Sequence, residues 1–128
     1  MTRDTFQQLV DEALASIPED FRAAVQNMAI VVEDEPTPAQ LQEVGIESSD
    51  STLFGLYEGT PLTEREWARG NVLPDKITLF QGPIEADSET EDDVVVAIGE
   101  TLIHEIGHYF GLSEEEIAEI EEQYWRGE

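Results

Sequence analysis

The chain of 128 residues contains no cysteine, only two histidines and only six lysines and arginines. The lack of cysteine excludes disulfides, thiolate metal ligands and a cysteine nucleophile. Thirty aspartates and glutamates leave a formal net charge of −24. Such a surface repels nucleic acids and anionic membranes, so neither is expected as a partner. Solubility is the simplest explanation of the acidity.

Long apolar runs are also missing. No stretch reaches the roughly eighteen apolar residues of a membrane span. The first 21 residues alternate polar and apolar side chains, unlike a signal peptide. We therefore expect a cytoplasmic protein. The length predicts one domain over residues 1–128, large enough to bury a core without disulfides.

The spacing of apolar residues predicts a small α+β domain with a short mixed sheet. An apolar stripe from Phe6 to Ile17 indicates a first helix that ends at Pro18. A short helix over 19–27, a helical turn over 36–45 that stops at Gly45, and strands over 28–33, 53–59 and 76–81 are expected next. Gly55 favours an edge position for the middle strand. Residues 60–74 are expected to be a loop. The acidic residues 85–93 are expected to be a solvated connection whose last members suit a helix N-terminus.

Two helices are predicted at the C-terminal end. Ile98, Leu102 and Ile106 form a buried stripe on the first, and Gly111 is placed to end it in the left-handed conformation. Two glycines inside this helix, Gly99 and Gly107, each cost about 1 kcal/mol relative to alanine. We therefore expect another element to pack closely against both.

The last helix carries a start signal in its sequence. Ser113 and Glu116 match the S-x-x-E capping box, with Leu112 and Ile117 as a hydrophobic staple. Its buried face is expected to contain Ile117, Ile120 and Tyr124.

Both histidines lie in the segment HEIGHYFG, residues 104–111. His104 and His108 are one helical turn apart, so their imidazoles leave the same face about 6 Å apart, which suits two ligands of a tetrahedral zinc ion. Glu105 can then act as a base on a water activated by the metal. The alternative is two polar residues on an amphipathic helix. With only two histidines, chance would give this spacing roughly a few times in a thousand, so the pattern favours a metal site.

A third ligand is expected because two imidazoles leave a zinc site incomplete. Gly111 allows a sharp turn, after which Glu114 can return to the metal. Glu114 also suits the first turn of the last helix in its own right. Glu115, Glu119, Glu122 and an external ligand remain alternatives. Two imidazoles and a carboxylate also suit iron(II) or manganese.

The segment HEIGHYFGLSEEEI resembles the zincin metallopeptidases. Together with FQQLVDEALASIPEDF, GLYEGTPLTER and PDKITLF, nearly the whole chain resembles the small bacterial family of minimal zincins. That family's motif, HExxHxxG followed by an acidic residue three positions on, matches His104, Glu105, His108, Gly111 and Glu114. The family usually has aspartate at the last position, where this chain has the longer glutamate. The chain lacks the third histidine and the later methionine of metzincins.

The resemblance implies a reduced zincin fold: a short mixed sheet, an active-site helix with HExxH, and a C-terminal helix. It also implies a zinc-dependent peptidase that holds one zinc ion per chain through His104, His108 and Glu114. Glu105 would be the general base that acts on a peptide or protein substrate.

A donor for the developing oxyanion is also needed. Tyr57, Tyr109 and Arg65 are candidates, with Arg69 beside Arg65 as a further one. The strand over 53–59 is expected to accept an extended peptide by backbone pairing. Two other functions stay open. One is a non-catalytic zinc-binding structural or interaction protein derived from a zincin, and the other is an acidic interaction module without a metal.

Overall fold

A computed structural model describes residues 1–43, 53–59 and 75–126 of the chain. It contains α1 (Arg3–Ser16), α2 (Glu19–Val25), β1 (Ala29–Glu33), α3 (Pro38–Glu43), β2 (Gly55–Glu58), β3 (Lys76–Phe80), α4 (Gln81–Ala86), α5 (Glu91–Phe110) and α6 (Glu114–Arg126). The predicted α+β class is confirmed, as are the three strands and the two C-terminal helices.

The three strands form a mixed sheet in the order β1-β3-β2. β1 runs parallel to β3, with Ala29 opposite Lys76, and β2 runs antiparallel to β3, with Gly55 opposite Leu79. β2 is therefore an edge strand, as the sequence predicts. β2 also contacts α5.

The core lies between the sheet, α1 and α5. Ile98, Leu102 and Ile106, the stripe predicted on α5, have no exposed surface. They share this core with Ile77 and Leu79 from the central strand and with the apolar face of α1, which includes Phe6, Leu9, Val10 and Ala13. The central position of α5 explains its apolar character, because most of its circumference is covered by other elements.

The helix ends follow the side chains that the sequence supplies. In α5, Thr90 and Asp93 form a reciprocal capping box at the start, and Gly111 ends the helix with a φ of 76°. In α6, the side chain of Ser113 accepts from the N–H of Glu116, whose carboxylate accepts in turn from the N–H of Ser113. The left-handed glycine and the second capping box are confirmed. Together they fix the turn that folds α6 back along α5.

The two glycines of α5 mark the contact with α6. A Cβ at Gly107 would lie 2.6 Å from Cγ1 of Ile117, and a Cβ at Gly99 would lie 2.2 Å from the hydroxyl of Tyr124. The close packing predicted at both positions is therefore confirmed. It brings the polar side of α6 within reach of the histidine face of α5.

The prediction for residues 85–93 is partly wrong. Gln81–Ala86 form the helix α4, so the solvated connection is shorter than expected. Pro83 lies in the first turn of this helix, where proline is tolerated because the N–H it lacks has no partner there. The predicted stop at Gly45 and the predicted loop over 60–74 lie outside the described residues. Among the helices that the structure describes, none is long and apolar enough to cross a membrane.

Candidate metal centre

Three neighbouring side chains on α5 converge at one point. His104, Glu105 and His108 each offer a ligand atom, and these atoms lie within 4.8 Å of one another. The rings of the two histidines meet edge to face, with centroids 4.7 Å apart. The opposite face of α5 is buried in the core, so the helix cannot rotate this group away from the surface without exposing apolar side chains.

The carboxylate of Glu114 lies close to both histidines. Its carboxylate oxygens are 3.2 Å from Nε2 of His108 and 3.6 Å from Nε2 of His104. The hydrogen bond with His108 lowers the pKa of Glu114, and the charge of His104 adds to this effect. The turn at Gly111 thus returns the first residue of α6 to the histidine pair, as the sequence predicts. The alternative glutamates Glu115, Glu119 and Glu122 are exposed on α6.

The donor set fits a zinc ion. Two imidazole nitrogens and a carboxylate are ligands that zinc accepts, and three protein ligands leave one tetrahedral position open. Nε2 of each histidine lies within 3.6 Å of a carboxylate oxygen of Glu114. A single positive ion between them would also relieve the repulsion among the surrounding carboxylates.

Glu105 differs from Glu114 in its surroundings. It is 8% exposed, and its Oε1 accepts a hydrogen bond of 2.8 Å from the main-chain N–H of Tyr57. Burial raises the pKa of Glu105, while the hydrogen bond from Tyr57 and the charges of His108 and His104 oppose that rise. Oε1 also lies 3.8 Å from Nδ1 of His108. Glu105 is thus a buried carboxylate next to the two histidines, and its burial raises its pKa.

A second glutamate on α6 contacts the histidine pair, and it was absent from the predicted site. Oε1 of Glu121 lies 3.2 Å from Nδ1 of His104. The signal that could have revealed it is spacing, because Glu121 follows Glu114 by seven residues and lies on the same side of the helix.

A cavity of about 420 Å³ opens beside His104 and Glu105. Its other lining residues are Leu53, Phe54, Gly55 and Thr101, so the wall away from the charged groups is mainly apolar. A Cβ at Gly55 would lie 2.4 Å from Cγ2 of Thr101. The glycine thus lets β2 approach α5 closely at the edge of the cavity.

The oxyanion candidates are placed as follows. The hydroxyl of Tyr57 donates a hydrogen bond of 2.9 Å to Oδ1 of Asp75. Tyr109 is 7% exposed, and its ring packs edge to face on that of Tyr57 at 6.1 Å. Arg65 and Arg69 lie outside the described residues. The oxyanion role therefore stays a prediction for all four residues.

Comparison with known families supports the same interpretation of the motif. The sequence model of a family described as zincin-like metallopeptidases matches residues 25–124 of the chain. This range includes all three strands, the histidine pair, Glu114 and Glu121. A comparison with curated proteins found no significant match. The resemblance to zincins identified in the sequence is thereby confirmed.

Proposed function

Since the chain belongs to the zincin-like metallopeptidase family, we propose that it is a zinc-dependent peptidase with one zinc ion per chain. The observation that carries the proposal is the arrangement of Glu114, whose carboxylate faces Nε2 of both histidines. His104, His108 and Glu114 would hold the ion, and Glu105 would act beside it. When bound, zinc acts as a Lewis acid that activates water and polarises a carbonyl group at neutral pH.

Glu105 performs the proton transfers in this proposal. Its ionised carboxylate accepts a proton from the attacking water and later delivers that proton to the leaving amine of the cleaved peptide. Burial favours proton uptake by Glu105 because the neutral form is less costly to desolvate. The N–H of Tyr57 fixes one carboxylate oxygen, which leaves the other free to exchange a proton.

The cavity beside Glu105 supports a peptide substrate. Its apolar wall, formed by Leu53, Phe54 and the methyl group of Thr101, suits an aliphatic or aromatic side chain. The edge strand β2 borders the cavity through Gly55, so an extended peptide can approach along it. We therefore expect cleavage next to apolar residues.

The test combines metal content with hydrolysis. We would measure zinc per chain by inductively coupled plasma mass spectrometry and cleavage of a peptide library by mass spectrometry. The proteins are the wild type, Glu105→Gln, His108→Ala and Glu115→Gln. Glu115→Gln is the control, because it removes the same charge from an exposed position.

We expect one zinc ion in every protein except His108→Ala, and cleavage only by the wild type and Glu115→Gln. Cleavage that survives in Glu105→Gln would refute the role of Glu105. Stoichiometric zinc in the wild type without cleavage of any peptide would instead favour the non-catalytic zinc-binding protein.

A further inference from the structure

The second contact of His104 points beyond the three ligands. His104 has Glu114 near Nε2, at 3.6 Å, and Glu121 near Nδ1, at 3.2 Å. The two nitrogens of an imidazole ring point in divergent directions. A carboxylate on Nδ1 therefore lies on the side of the ring away from an ion held by Nε2.

We propose that Glu121 is a positioning residue for the metal centre, which holds His104 with its proton on Nδ1 and so keeps the Nε2 lone pair directed at the zinc ion. The inference rests on the proposed zinc site. Neutral imidazole carries one proton. Of the two nitrogens of His104, Nδ1 has the closer carboxylate, at 3.2 Å compared with 3.6 Å for Nε2. A carboxylate behind a histidine ligand also fixes the angle of the ring and increases its basicity.

Burial distinguishes Glu121 from Glu114. The side chain of Glu121 is 28% exposed, whereas that of Glu114 is 73% exposed. A contact with less solvent around it is screened less and varies less in geometry. Glu121 is thus better placed than Glu114 to hold the ring of His104 before any metal arrives. Glu114 is better placed to move onto the metal.

The packing of α6 explains why Glu121 can hold a fixed position. Ile120, which precedes it, and Tyr124 pack against the core, and Ile117 is 1% exposed one turn earlier. These contacts clamp the middle of α6 onto α5. The carboxylate of Glu121 therefore extends from a rigid stretch of helix, which a positioning residue needs.

The experiment compares Glu121→Ala, Glu121→Gln and Glu119→Ala with the wild type. Glu119 is exposed on the same helix. Glu119→Ala therefore removes the same charge and leaves the contact between Glu121 and His104 intact. Zinc affinity would be measured by competition with a chromophoric chelator. The tautomer of His104 in the metal-free protein would be read from long-range ¹H–¹⁵N correlation spectra. With two histidines in the chain, a spectrum of His108→Ala assigns the signals.

We expect Glu121→Ala to bind zinc about 10- to 100-fold more weakly than the wild type, and Glu119→Ala to bind it unchanged. His104 should carry its proton on Nδ1 in the wild type and shift toward Nε2–H in Glu121→Ala. Glu121→Gln keeps an oxygen acceptor, so it should retain the Nδ1–H tautomer and lose less affinity. If Glu121→Ala fails to fold, the tautomer of His104 in the wild type decides the question, because the inference requires the proton on Nδ1.

Two results would overturn the inference while the zinc site stands. One is an affinity of Glu121→Ala equal to that of Glu119→Ala with an unchanged tautomer. The other is an Nε2–H tautomer in the wild type, which would make Glu121 a candidate ligand instead. A wild type that binds no zinc would refute the proposed function itself, and the stoichiometry measurement reveals that separately.

Discussion

The main-chain N–H of Tyr57 donates a hydrogen bond of 2.8 Å to Oε1 of Glu105. The two residues are 48 positions apart in the chain, one on the edge strand β2 and the other on α5. Phe54 uses its carbonyl to pair with the N–H of Phe80 on β3. In the alternating pattern of an antiparallel pair, the N–H of Tyr57 then points to the outer edge. The position of Glu105 therefore depends on how closely β2 approaches α5.

Gly55→Ala tests this dependence. The added Cβ would lie 2.4 Å from Cγ2 of Thr101 and 3.3 Å from the carbonyl oxygen of Thr78, so β2 or α5 must shift. We expect the free energy of unfolding to fall by about 1–3 kcal/mol, the usual cost of overpacking. Urea denaturation measures this change. Peptide cleavage should fall further than stability alone explains, because the Tyr57 N–H moves relative to Glu105.

Thr101→Ser is the second substitution that should relieve the clash caused by Gly55→Ala. Serine removes the Cγ2 methyl group but keeps the hydroxyl that donates to the carbonyl of Ala97 at 2.7 Å. The double variant should therefore recover much of the lost stability. Equal losses in the single and double variants would show that Thr101 is not the source of the clash.

The sequence reveals those parts of the site that depend on local spacing. The histidine pair, Glu105 and the return of Glu114 after Gly111 all follow from positions within one helix and its turn. The contacts of Glu105 with Tyr57 and of His104 with Glu121 join separate elements, and they depend on how those elements pack. Periodicity within a segment does not fix the distance between two segments. The helix α4 escaped prediction for another reason, since Gly82 and Pro83 are local turn signals that tertiary contacts overrode.

The second prediction concerns the glycines between α5 and α6. Gly107→Ala should lower the free energy of unfolding by about 1–2 kcal/mol, because the clash with Ile117 outweighs the gain of about 1 kcal/mol in helix propensity. Ile117 is 1% exposed and has no space to move. Gly99→Ala should be closer to neutral, because it meets the hydroxyl end of the half-buried Tyr124. Chemical denaturation of both variants tests the difference.

A double-mutant cycle separates the two contributions at Gly107. In an Ile117→Ala background the Cγ1 and Cδ1 atoms that obstruct a Cβ are absent. Gly107→Ala should then stabilise the protein by about the helix propensity difference of 1 kcal/mol. If Gly107→Ala is equally destabilising in both backgrounds, contact with Ile117 is not the cause.

The third prediction concerns the effect of zinc on stability. His104 and His108 lie on α5, while Glu114 lies on α6, so an ion bound by all three would link the two helices. At a free zinc concentration about 1,000 times the dissociation constant, the folded state gains about 4 kcal/mol. For a chain of 128 residues, this raises the melting temperature by about 15 °C. A thermal scan with added zinc, and then with a chelator, measures the shift and its reversal.

The control for this zinc effect is His108→Ala, which should show no shift under the same conditions. Magnesium should also have no effect on the wild type, because it prefers oxygen ligands in octahedral geometry. An equal shift in His108→Ala would mean that zinc binds elsewhere on this acidic surface.

The last prediction concerns Glu100, which precedes His104 by one helical turn. Burial, and then the charges of Glu121 and Asp87, raise the pKa of Glu100 from 4.5 to about 7. Its Oε1 is buried and has no hydrogen-bond partner among the residues that the structure describes. Between these two pH values the folded protein keeps a proton that the unfolded chain has lost. The contribution of Glu100 to stability therefore falls as pH rises through this window, and the full loss is reached above about pH 7.

Glu100→Gln isolates this effect because it keeps the shape of the side chain and removes its ionisation. At about pH 8 the variant should be more stable than the wild type by about 1–2 kcal/mol, allowing for the solvent that screens a half-buried carboxyl. Near pH 5 the difference should shrink, since folded Glu100 is then largely protonated. Glu12→Gln, which is exposed on α1, controls for the general relief of charge in this acidic chain. Urea denaturation at the two pH values gives the free energy of unfolding of both variants. The prediction is contradicted if the difference in stability between Glu100→Gln and Glu12→Gln is the same at both pH values.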